Sequence, residues 1–290
     1  MAATISQLLV HGSAELRRAG VPEADQEARW LLQDCLRLSR SELILHSTEE
    51  VGPEQEGRFL IWLERRCRRE PLAYITGSCQ FWSREFQLNG NVLVPRPETE
   101  LLVEQVLARL PRQAAETSVL DLCCGSGVIA VTLALECPHW KVTGADLSWP
   151  ALEVARRNML HHGVRNLSLV CADLLSGFSS AAGFDCIVSN PPYVRTGEIG
   201  GLEPEVSAWE PRMALDGGND GLDLVRRIGE QACRYLHPGG WLLLEIGADQ
   251  EAGCLQLFAS LAAYGDVRVL RDLAGRPRIL QARRRDSWTR

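Results

Sequence analysis

The sequence predicts an α/β protein in which a mostly parallel, doubly wound sheet follows a small helical domain. Two patterns support this fold class. From residue 118 onward, short apolar runs alternate with helical stretches, which is typical of a parallel sheet covered by helices. Before residue 70, apolar residues instead recur at intervals of three and four positions, the spacing of amphipathic helices. A chain of 290 residues is long enough for both domains.

Seven apolar runs rich in β-forming residues are the predicted strands of the sheet. They are residues 119–122, 141–146, 167–170, 184–189, 241–246, 266–270 and 278–282. The last two runs have no full helical stretch between them, so we expect an antiparallel hairpin at that edge. A seven-stranded sheet in this order resembles the Rossmann-like fold of methyltransferases that use S-adenosylmethionine (SAM).

The chain is predicted to have three parts: a helical domain at 1–70, a linker at 71–100 and the sheet domain at 101–290. The helical domain carries few chemically reactive groups in its pattern, so packing or substrate docking is its expected role. No internal repeat or low-complexity tract interrupts this organisation.

The linker contains Asn89-Gly90, a strong signal for a two-residue hairpin turn. We therefore expect a β-hairpin linker whose strands are residues 86–88 and 92–94. Farther on, Thr99 is a candidate N-terminal cap for a helix running from Glu100 to Leu110.

The charge of the chain argues against a nucleic-acid partner. The formal net charge is −6 and the isoelectric point is about 5.6, so the overall basic character that non-specific phosphate binding needs is missing. We expect no direct nucleic-acid binding and favour an ordinary enzyme or a protein that binds another protein.

Ten cysteines are scattered along the chain without a Cys-x-x-Cys pair or a His at zinc-finger spacing. This pattern predicts free thiols in a reducing compartment, with neither a metal site nor disulfides. The N-terminus lacks the pattern of a signal peptide, and no apolar run reaches membrane-spanning length. The expected location is the cytosol, with a mitochondrial location left open by Arg17 and Arg18.

A glycine turn follows the first predicted strand of the sheet, in Asp121-Leu122-Cys123-Cys124-Gly125-Ser126-Gly127. Its glycines allow a sharp turn and a close approach of the backbone to a ligand. Asp146 ends the next strand, where a carboxylate can hold the two hydroxyls of a ribose. Asp173 follows the strand after that, where an adenine would lie. These features predict a nucleoside-containing cofactor.

Three interpretations of the glycine turn compete: a structural turn with acids that cap helices, an NAD site and a SAM site. Ala130 stands where the dinucleotide pattern has its third glycine or an alanine, so that position does not decide. Asp121 does, because a carboxylate beside the turn repels a pyrophosphate and suits the ammonium and sulfonium charges of SAM. SAM is the favoured cofactor.

The tetrapeptide Asn190-Pro191-Pro192-Tyr193 follows the fourth strand, at the sheet edge where ligands bind in this fold. An amide or exocyclic amine nitrogen is a poor nucleophile and must be oriented. The side-chain oxygen of Asn190 and the carbonyl of Pro191 can each accept one of its N–H groups. Prolines stiffen this acceptor pair, and Tyr193 offers a face for stacking. We predict these four residues as the catalytic and substrate-binding motif.

With these motifs, the chain resembles the HemK/PrmC-type protein-glutamine methyltransferases, which modify peptide chain release factors. The segment Pro95-Arg96-Pro97-Glu98-Thr99-Glu100 is the specific one, because Asn-Pro-Pro-Tyr also occurs in DNA adenine methyltransferases. The other matching segments are Pro71–Gly77, Leu93–Val94, the glycine turn, Asp185–Tyr193, Trp209–Leu215, Gly217–Leu222, Glu245–Gly247 and Arg271–Arg276.

The resemblance implies a helical N-terminal domain that docks a release factor and a C-terminal domain that binds SAM. The target would be the glutamine of a Gly-Gly-Gln loop. It also implies that Cys123 to Gly127, Asp146, Leu174 and Asn190 line the SAM site. The chain departs from the family at Cys123, where the family usually has glycine. For Arg96, Glu98 and Glu100, we expect either a solvated linker or a role in shaping the floor of the site.

Three alternatives stay open from the sequence. A nucleic-acid amine methyltransferase would need a basic target-recognition region, and none is visible. A methyltransferase for a ribosomal-protein glutamine would share the same motifs. A SAM-binding docking protein without activity would have no use for the acceptor pair at Asn190.

Overall fold

The computed structural model describes residues 3–113, 116–179 and 183–286. The chain divides into two compact units, the first comprising Met1–Ser78 with Glu203–Trp209 and the second comprising Cys79–Leu202 with Glu210–Arg290. Residues 71–100, expected as a separate linker, are shared between these units. Residues 1–2 and 287–290, at the ends of the predicted first and last domains, lie outside the described residues.

The first unit is helical, as its apolar spacing predicts. Its helices are α1 (Ile5–Arg18), α2 (Ala24–Leu36), α3 (Arg40–Leu45), α4 (Pro53–Cys67), α5 (Leu72–Thr76) and, from the second stretch of chain, α9 (Pro204–Ser207). Thr4 and Ser39 each accept a hydrogen bond from a backbone N–H of the first turn that follows, in a capping box. Buried leucines and Phe59 form the core between the helices.

The second unit contains a two-stranded hairpin and a seven-stranded sheet with its helices. Its elements are β1 (Ser78–Phe81), β2 (Arg84–Gln87), α6 (Glu100–Arg109), β3 (Ser118–Leu122), α7 (Val128–Glu136), β4 (Lys141–Asp146), α8 (Trp149–His161), β5 (Leu167–Cys171), β6 (Phe184–Ser189), α10 (Asp223–Ala232), β7 (Leu236–Glu245), α11 (Glu251–Ala259), β8 (Tyr264–Arg271) and β9 (Pro277–Arg284). All seven predicted strands of the sheet are present.

The strand order of the sheet is β5-β4-β3-β6-β7-β9-β8. Strands β3 to β7 pair in parallel, whereas β9 pairs antiparallel with both β7 and β8. The predicted antiparallel hairpin at the edge is therefore confirmed, and its second strand lies between β7 and β8.

Alternate residues of the central strands pack on opposite faces of the sheet, as the two-residue period of a strand requires. Val119 and Cys186 belong to the cluster that includes α6 and α7. Leu120 and Ile187, their neighbours in the chain, belong to the cluster that includes α10 and α11. Because both faces of the sheet are covered by helices, nearly every residue along these strands is apolar.

The predicted turn at Asn89-Gly90 is wrong, although a hairpin is present. Its turn is Trp82-Ser83, and both residues have positive φ, 51° and 56°. Such a turn normally takes glycine or asparagine, but here the backbone N–H of Trp82 donates to Glu100 at 2.6 Å and its indole N–H donates to Glu136 at 3.1 Å. These tertiary bonds hold the unfavourable turn in place.

Among the described residues, the predicted strand at 92–94 is not present, and a side chain satisfies the end of β2. Asn158 accepts from the backbone N–H of Gln87 at 2.7 Å and donates to its carbonyl at 3.0 Å. The predicted cap of α6 is also wrong. Thr99 has helical φ and ψ and makes no side-chain capping bond, since its hydroxyl is bonded elsewhere.

Within the described ranges, no helix is both long enough and apolar enough to cross a membrane. The same part of the chain contains no cluster of three or more His, Cys, Asp or Glu side chains suited to a metal ion. All ten cysteines are free thiols.

A buried arginine joins three helices of the first unit. Arg66 on α4 is 3% exposed, contacts both carboxylate oxygens of Glu27 and donates to Glu205 at 2.6 Å. Arg69 also binds Glu205, with distances of 2.7 and 2.6 Å. Although burial acts in the opposite direction, the hydrogen bonds from Arg69 and Arg66 lower the pKa of Glu205 to about 2.

Removing the Arg66 guanidinium should take from Glu27 the cation that it binds and leave Glu205 with Arg69. We expect Arg66→Ala to lower the free energy of unfolding by roughly 3–5 kcal/mol in urea denaturation. Arg68→Ala is the matched control, because Arg68 pairs with Glu64 on the exposed surface and such a pair contributes less than about 1 kcal/mol. Equal losses in the two variants would contradict the buried network.

Candidate active site

The carboxyl edge of the sheet contains a cavity of about 560 Å³. From β3 the chain proceeds outward to β4 and β5, and then returns to the other side of β3 to form β6. The loops after β3 and β6 therefore run in opposite directions, which opens a crevice where ligands bind in this fold. Residues that follow β3, β4, β5 and β6 all line the cavity.

Most of the predicted site residues lie around this cavity. Those that line it are Cys123, Cys124, Gly125, Ser126, Asp146, Asp173, Leu174, Asn190 and Pro192. Four others do not appear in its wall, namely Asp121, Gly127, Pro191 and Tyr193. Direct contact of these four residues with a ligand stays a prediction.

The turn after β3 needs left-handed backbone at alternate positions. Cys123, Gly125 and Gly127 have φ of 55°, 53° and 79°. A Cβ on Gly127 would lie 3.0 Å from the Cβ of Ala155, so glycine is required there for packing as well as for conformation. Cys123 adopts at some cost a conformation that glycine adopts freely.

The Cys123 side chain borders the cavity as a neutral thiol. Burial raises its pKa to about 12, and the nearby carboxylate of Asp146 acts in the same direction. Because the thiolate is the nucleophilic form of cysteine, this thiol does not compete for an electrophile at neutral pH.

Asp146 ties the end of β4 to the glycine turn. Its two oxygens accept from the backbone N–H groups of Gly125 at 2.9 Å and Ser148 at 2.8 Å. Burial raises its pKa, although these two bonds oppose the shift. A carboxylate oxygen has a second lone pair, so Asp146 can still accept from hydroxyl groups in the cavity.

Asp121 lies buried at the end of β3, beneath the turn. One of its oxygens accepts from the N–H of Ala130 at 3.1 Å, which satisfies a free donor in the first turn of α7. Its other oxygen is buried and has no hydrogen-bond partner within the described ranges. Burial raises its pKa well above the usual range. Asp121 thus caps a helix, and it also has an unused acceptor next to the turn.

Asp173 shares the cavity wall with a cation. Arg227 on α10 donates to its carboxylate at 2.8 Å, and both side chains are about half exposed. At the end of the site where an adenine is predicted, the carboxylate of Asp173 is therefore neutralised by the guanidinium of Arg227. The sequence analysis did not identify Arg227, because an arginine on an amphipathic helix carries no distinctive signal.

Asn190 is held by a chain of buried polar groups. Its side-chain N–H donates to the Thr99 hydroxyl at 3.2 Å, and that hydroxyl donates to Glu245 at 2.8 Å. The Tyr193 hydroxyl donates to the other oxygen of Glu245 at 3.3 Å. Burial raises the pKa of Glu245 to about 7.

The segment after Asn190 is clamped against a glycine-rich loop. Val194 exchanges backbone hydrogen bonds with Leu215 and Gly217 at 2.9 and 2.8 Å. A Cβ on Gly217 would lie 2.8 Å from the carbonyl oxygen of Pro192, and one on Gly221 would lie 2.5 Å from that of Tyr193. This close packing fixes the backbone that carries the predicted motif.

Arg96 has a structural role in the wall of the cavity. It donates to the buried carboxylate of Glu210 at 2.7 Å, and the adjacent Pro95 and Pro211 both line the cavity. Glu100 instead binds the hairpin turn, as described above.

Thr99 and Glu245 are two further polar residues of the site that were not predicted as site residues from the sequence. Glu245 could have been found as a lone carboxylate at the end of an apolar strand.

The raised pKa of Glu245 should appear in the pH dependence of stability. Between its ordinary pKa of 4.5 and about 7, the folded chain retains a proton that the unfolded chain has released. The contribution of the raised pKa to the free energy of unfolding is fully present below pH 4.5. It is lost as the pH rises to about 7. Over this range, the unfolding free energy of Glu245→Gln minus that of wild type should increase by on the order of 3 kcal/mol.

Urea denaturation of both proteins at several pH values measures this difference. Glu64→Gln, at an exposed site, is the control and should show almost no such trend. A difference for Glu245→Gln that does not change with pH would contradict the raised pKa.

Comparison with known proteins identifies the family. The models of the PrmC N-terminal domain and the methyltransferase small domain match residues 7–77 and 97–201. The release factor glutamine methyltransferase of Geobacter sulfurreducens is 40% identical over 97% of this chain and 96% of its own length. The enzyme of that name from Cereibacter sphaeroides is 42% identical over 92% and 94%.

The fold is also shared with a solved methyltransferase from Pyrococcus furiosus, which has a TM-score of 0.52 and 17% identity and covers 81% of this chain and all of its own. At that identity the likeness supports the fold class alone. The identity to the two curated relatives is far higher and extends over nearly the whole length of each protein. The chain therefore belongs to the family of release factor glutamine methyltransferases.

Proposed function

We propose that this chain transfers a methyl group from SAM to the side-chain amide nitrogen of a glutamine in a peptide chain release factor. Membership of the family supports this reaction, because the relatives carry that name. One observation in the structure carries the proposal. The Asn190 amide lies in the wall of the same cavity as the glycine turn and Asp146, which brings an amide-recognising group next to a cofactor site.

The residues of the cavity fit SAM. The glycine turn allows close approach of a ligand to the backbone, and Asp146 has acceptor capacity left for ribose hydroxyls. Beneath the turn, one oxygen of Asp121 has no partner among the described residues and can accept a hydrogen bond, whereas the charge of Asp173 is already paired with Arg227. When bound, SAM supplies an electrophilic methyl group on a positively charged sulfonium.

The Asn-Pro-Pro-Tyr segment orients the target nitrogen. The Asn190 side-chain oxygen and the Pro191 carbonyl each accept one N–H of the glutamine amide, which aims the nitrogen lone pair toward the methyl group. The clamp of Gly217 and Gly221 keeps this acceptor pair rigid. No general base is needed before attack, because the proton leaves after the methyl group has been transferred. Tyr193 supplies a face on which the planar amide stacks.

The protein partner is the release factor, docked by the helical first unit. Because a release factor acts at the ribosome, the reaction takes place in the compartment of translation, the cytosol or its mitochondrial equivalent. A ribosomal-protein glutamine and a nucleic-acid amine are the competing substrates. The net charge of −6 weighs against the second of these.

Labelled methyl-SAM tests the substrate directly. We expect the chain to transfer label to a purified release factor, and expect no transfer when the glutamine of its Gly-Gly-Gln loop is replaced by alanine. A purified ribosomal protein and an RNA oligonucleotide serve as competing acceptors. Label that persists on the alanine-substituted release factor, or that goes only to a competing acceptor, would remove the proposed function.

Asn190 and Asp146 should affect different steps. Asn190→Ala removes an acceptor for the target amide, so kcat should fall by at least about 100-fold while the Kd for SAM changes less than about 3-fold. Asp146→Ala should raise the Kd for SAM by about 10-fold or more. Calorimetry gives the two Kd values and the label assay gives kcat. Equal effects of both variants on SAM binding would show that the two roles are misassigned.

A further inference from the structure

The buried groups that are hydrogen-bonded to Asn190, directly or through a neighbour, support a further inference. It rests on the proposed function and extends it. We propose that Thr99 and Glu245 are positioning residues that fix which face of the Asn190 amide group meets the substrate. They hold the side-chain nitrogen away from the target and leave the side-chain oxygen to accept from the glutamine amide.

The first step is the geometry of the chain of groups. Asn190 lies 3.2 Å from the Thr99 hydroxyl, and that hydroxyl lies 2.8 Å from one oxygen of Glu245. Thr99 is 2% exposed and Glu245 is 1% exposed. Water therefore does not compete for these bonds, and each group must be satisfied by its neighbours.

The second step is a count of protons. Above its pKa of about 7, the Glu245 carboxylate is ionised and can only accept, so the single proton of the Thr99 hydroxyl points to Glu245. The hydroxyl then has only lone pairs left for Asn190. An Asn190 oxygen facing it would place two acceptors against each other, whereas the Asn190 nitrogen donates to it. The direction of the first bond thus determines the orientation of the Asn190 amide.

The third step concerns why the orientation matters. The target NH₂ group offers two donors, and its nitrogen lone pair must stay free for the methyl group. An Asn190 turned the other way would present donors to those donors. It would leave the substrate amide unpaired in a cavity, which disfavours the productive complex.

Tyr193 supports the direction of this relay, by which we mean the hydrogen bonds that run from Asn190 through Thr99 to Glu245. Its hydroxyl donates to the second oxygen of Glu245 at 3.3 Å, so the carboxylate accepts from two hydroxyls. A glutamine in place of Glu245 could accept from only one of them, because its other atom is a donor. The carboxylate is therefore the side chain that orients Thr99 toward accepting from Asn190.

Thr99→Val and Thr99→Ser form a matched pair for the test. Valine has nearly the shape of threonine but no hydroxyl, whereas serine keeps the hydroxyl and loses the methyl group. With labelled SAM and a release factor above pH 7, where Glu245 is ionised, we expect Thr99→Val to lower kcat about 10- to 100-fold. Its KM for the release factor and Kd for SAM should stay within about 3-fold of wild type, and Thr99→Ser should keep kcat within about 3-fold.

A Thr99→Val enzyme with the wild-type kcat would overturn the proposal. So would a Thr99→Ser enzyme as impaired as Thr99→Val, because the methyl group and not the hydroxyl would then matter. Glu245→Leu, which removes both acceptors at similar volume, is the second route if a Thr99 variant folds poorly by circular dichroism. We expect it to lower kcat about 10-fold, and a wild-type kcat would also overturn the relay.

A readout without turnover separates this inference from the proposed function. In ¹⁵N-labelled protein, the side-chain NH₂ of Asn190 is identified by its loss in Asn190→Asp. One of its protons should be protected from exchange in wild type and in Thr99→Ser, and exposed in Thr99→Val. Unchanged protection in Thr99→Val refutes the relay, even if wild type fails to methylate glutamine. A wild type inactive on glutamine removes only the proposed function.

Discussion

The reversal of strand order at β3 is the constraint on which the rest of the structure depends. Because β4 and β6 lie on opposite sides of β3, the loops at its carboxyl edge separate and leave a crevice. Because these parallel strands are buried on both faces, the polar groups of this unit collect where the strands end. Asp121, Asp146 and Asn190 all stand at the ends of strands, and the apolar sequence between them serves to hold those ends in register.

The polar groups at this edge hold one another as much as they hold a ligand. Asp146 binds the glycine turn, Asp121 binds the first turn of α7, and Glu245 reaches Asn190 through Thr99. Buried carboxylates are costly unless they are hydrogen-bonded. The bonds from backbone N–H and hydroxyl groups offset that cost, and in doing so they remove freedom from the side chains that meet the substrate. The hydrogen bonds that make burial of these carboxylates possible therefore also make the site rigid.

The sheet and the glycine turn were predictable because both follow from local pattern. Apolar runs mark buried parallel strands, and a glycine at positive φ leaves a signal in the sequence. The hairpin turn was not predictable, because Trp82 and Ser83 adopt positive φ only through bonds to Glu100 and Glu136. Thr99 was misjudged for a similar reason. A threonine before a helix normally caps it, and only the fold reveals that Glu245, far away in the sequence, binds its hydroxyl.

The first unit is discontinuous in sequence, and this has a consequence for how it is made. Glu205, which holds Arg66 and Arg69, belongs to a stretch that follows the first 78 residues by more than a hundred positions. A nascent chain that has emerged only as far as α5 has both arginines but not this carboxylate. The helices can form early, yet their buried ion network closes only after most of the polypeptide has been synthesised. A fragment that ends at Ser78 would remain permanently in that incomplete state.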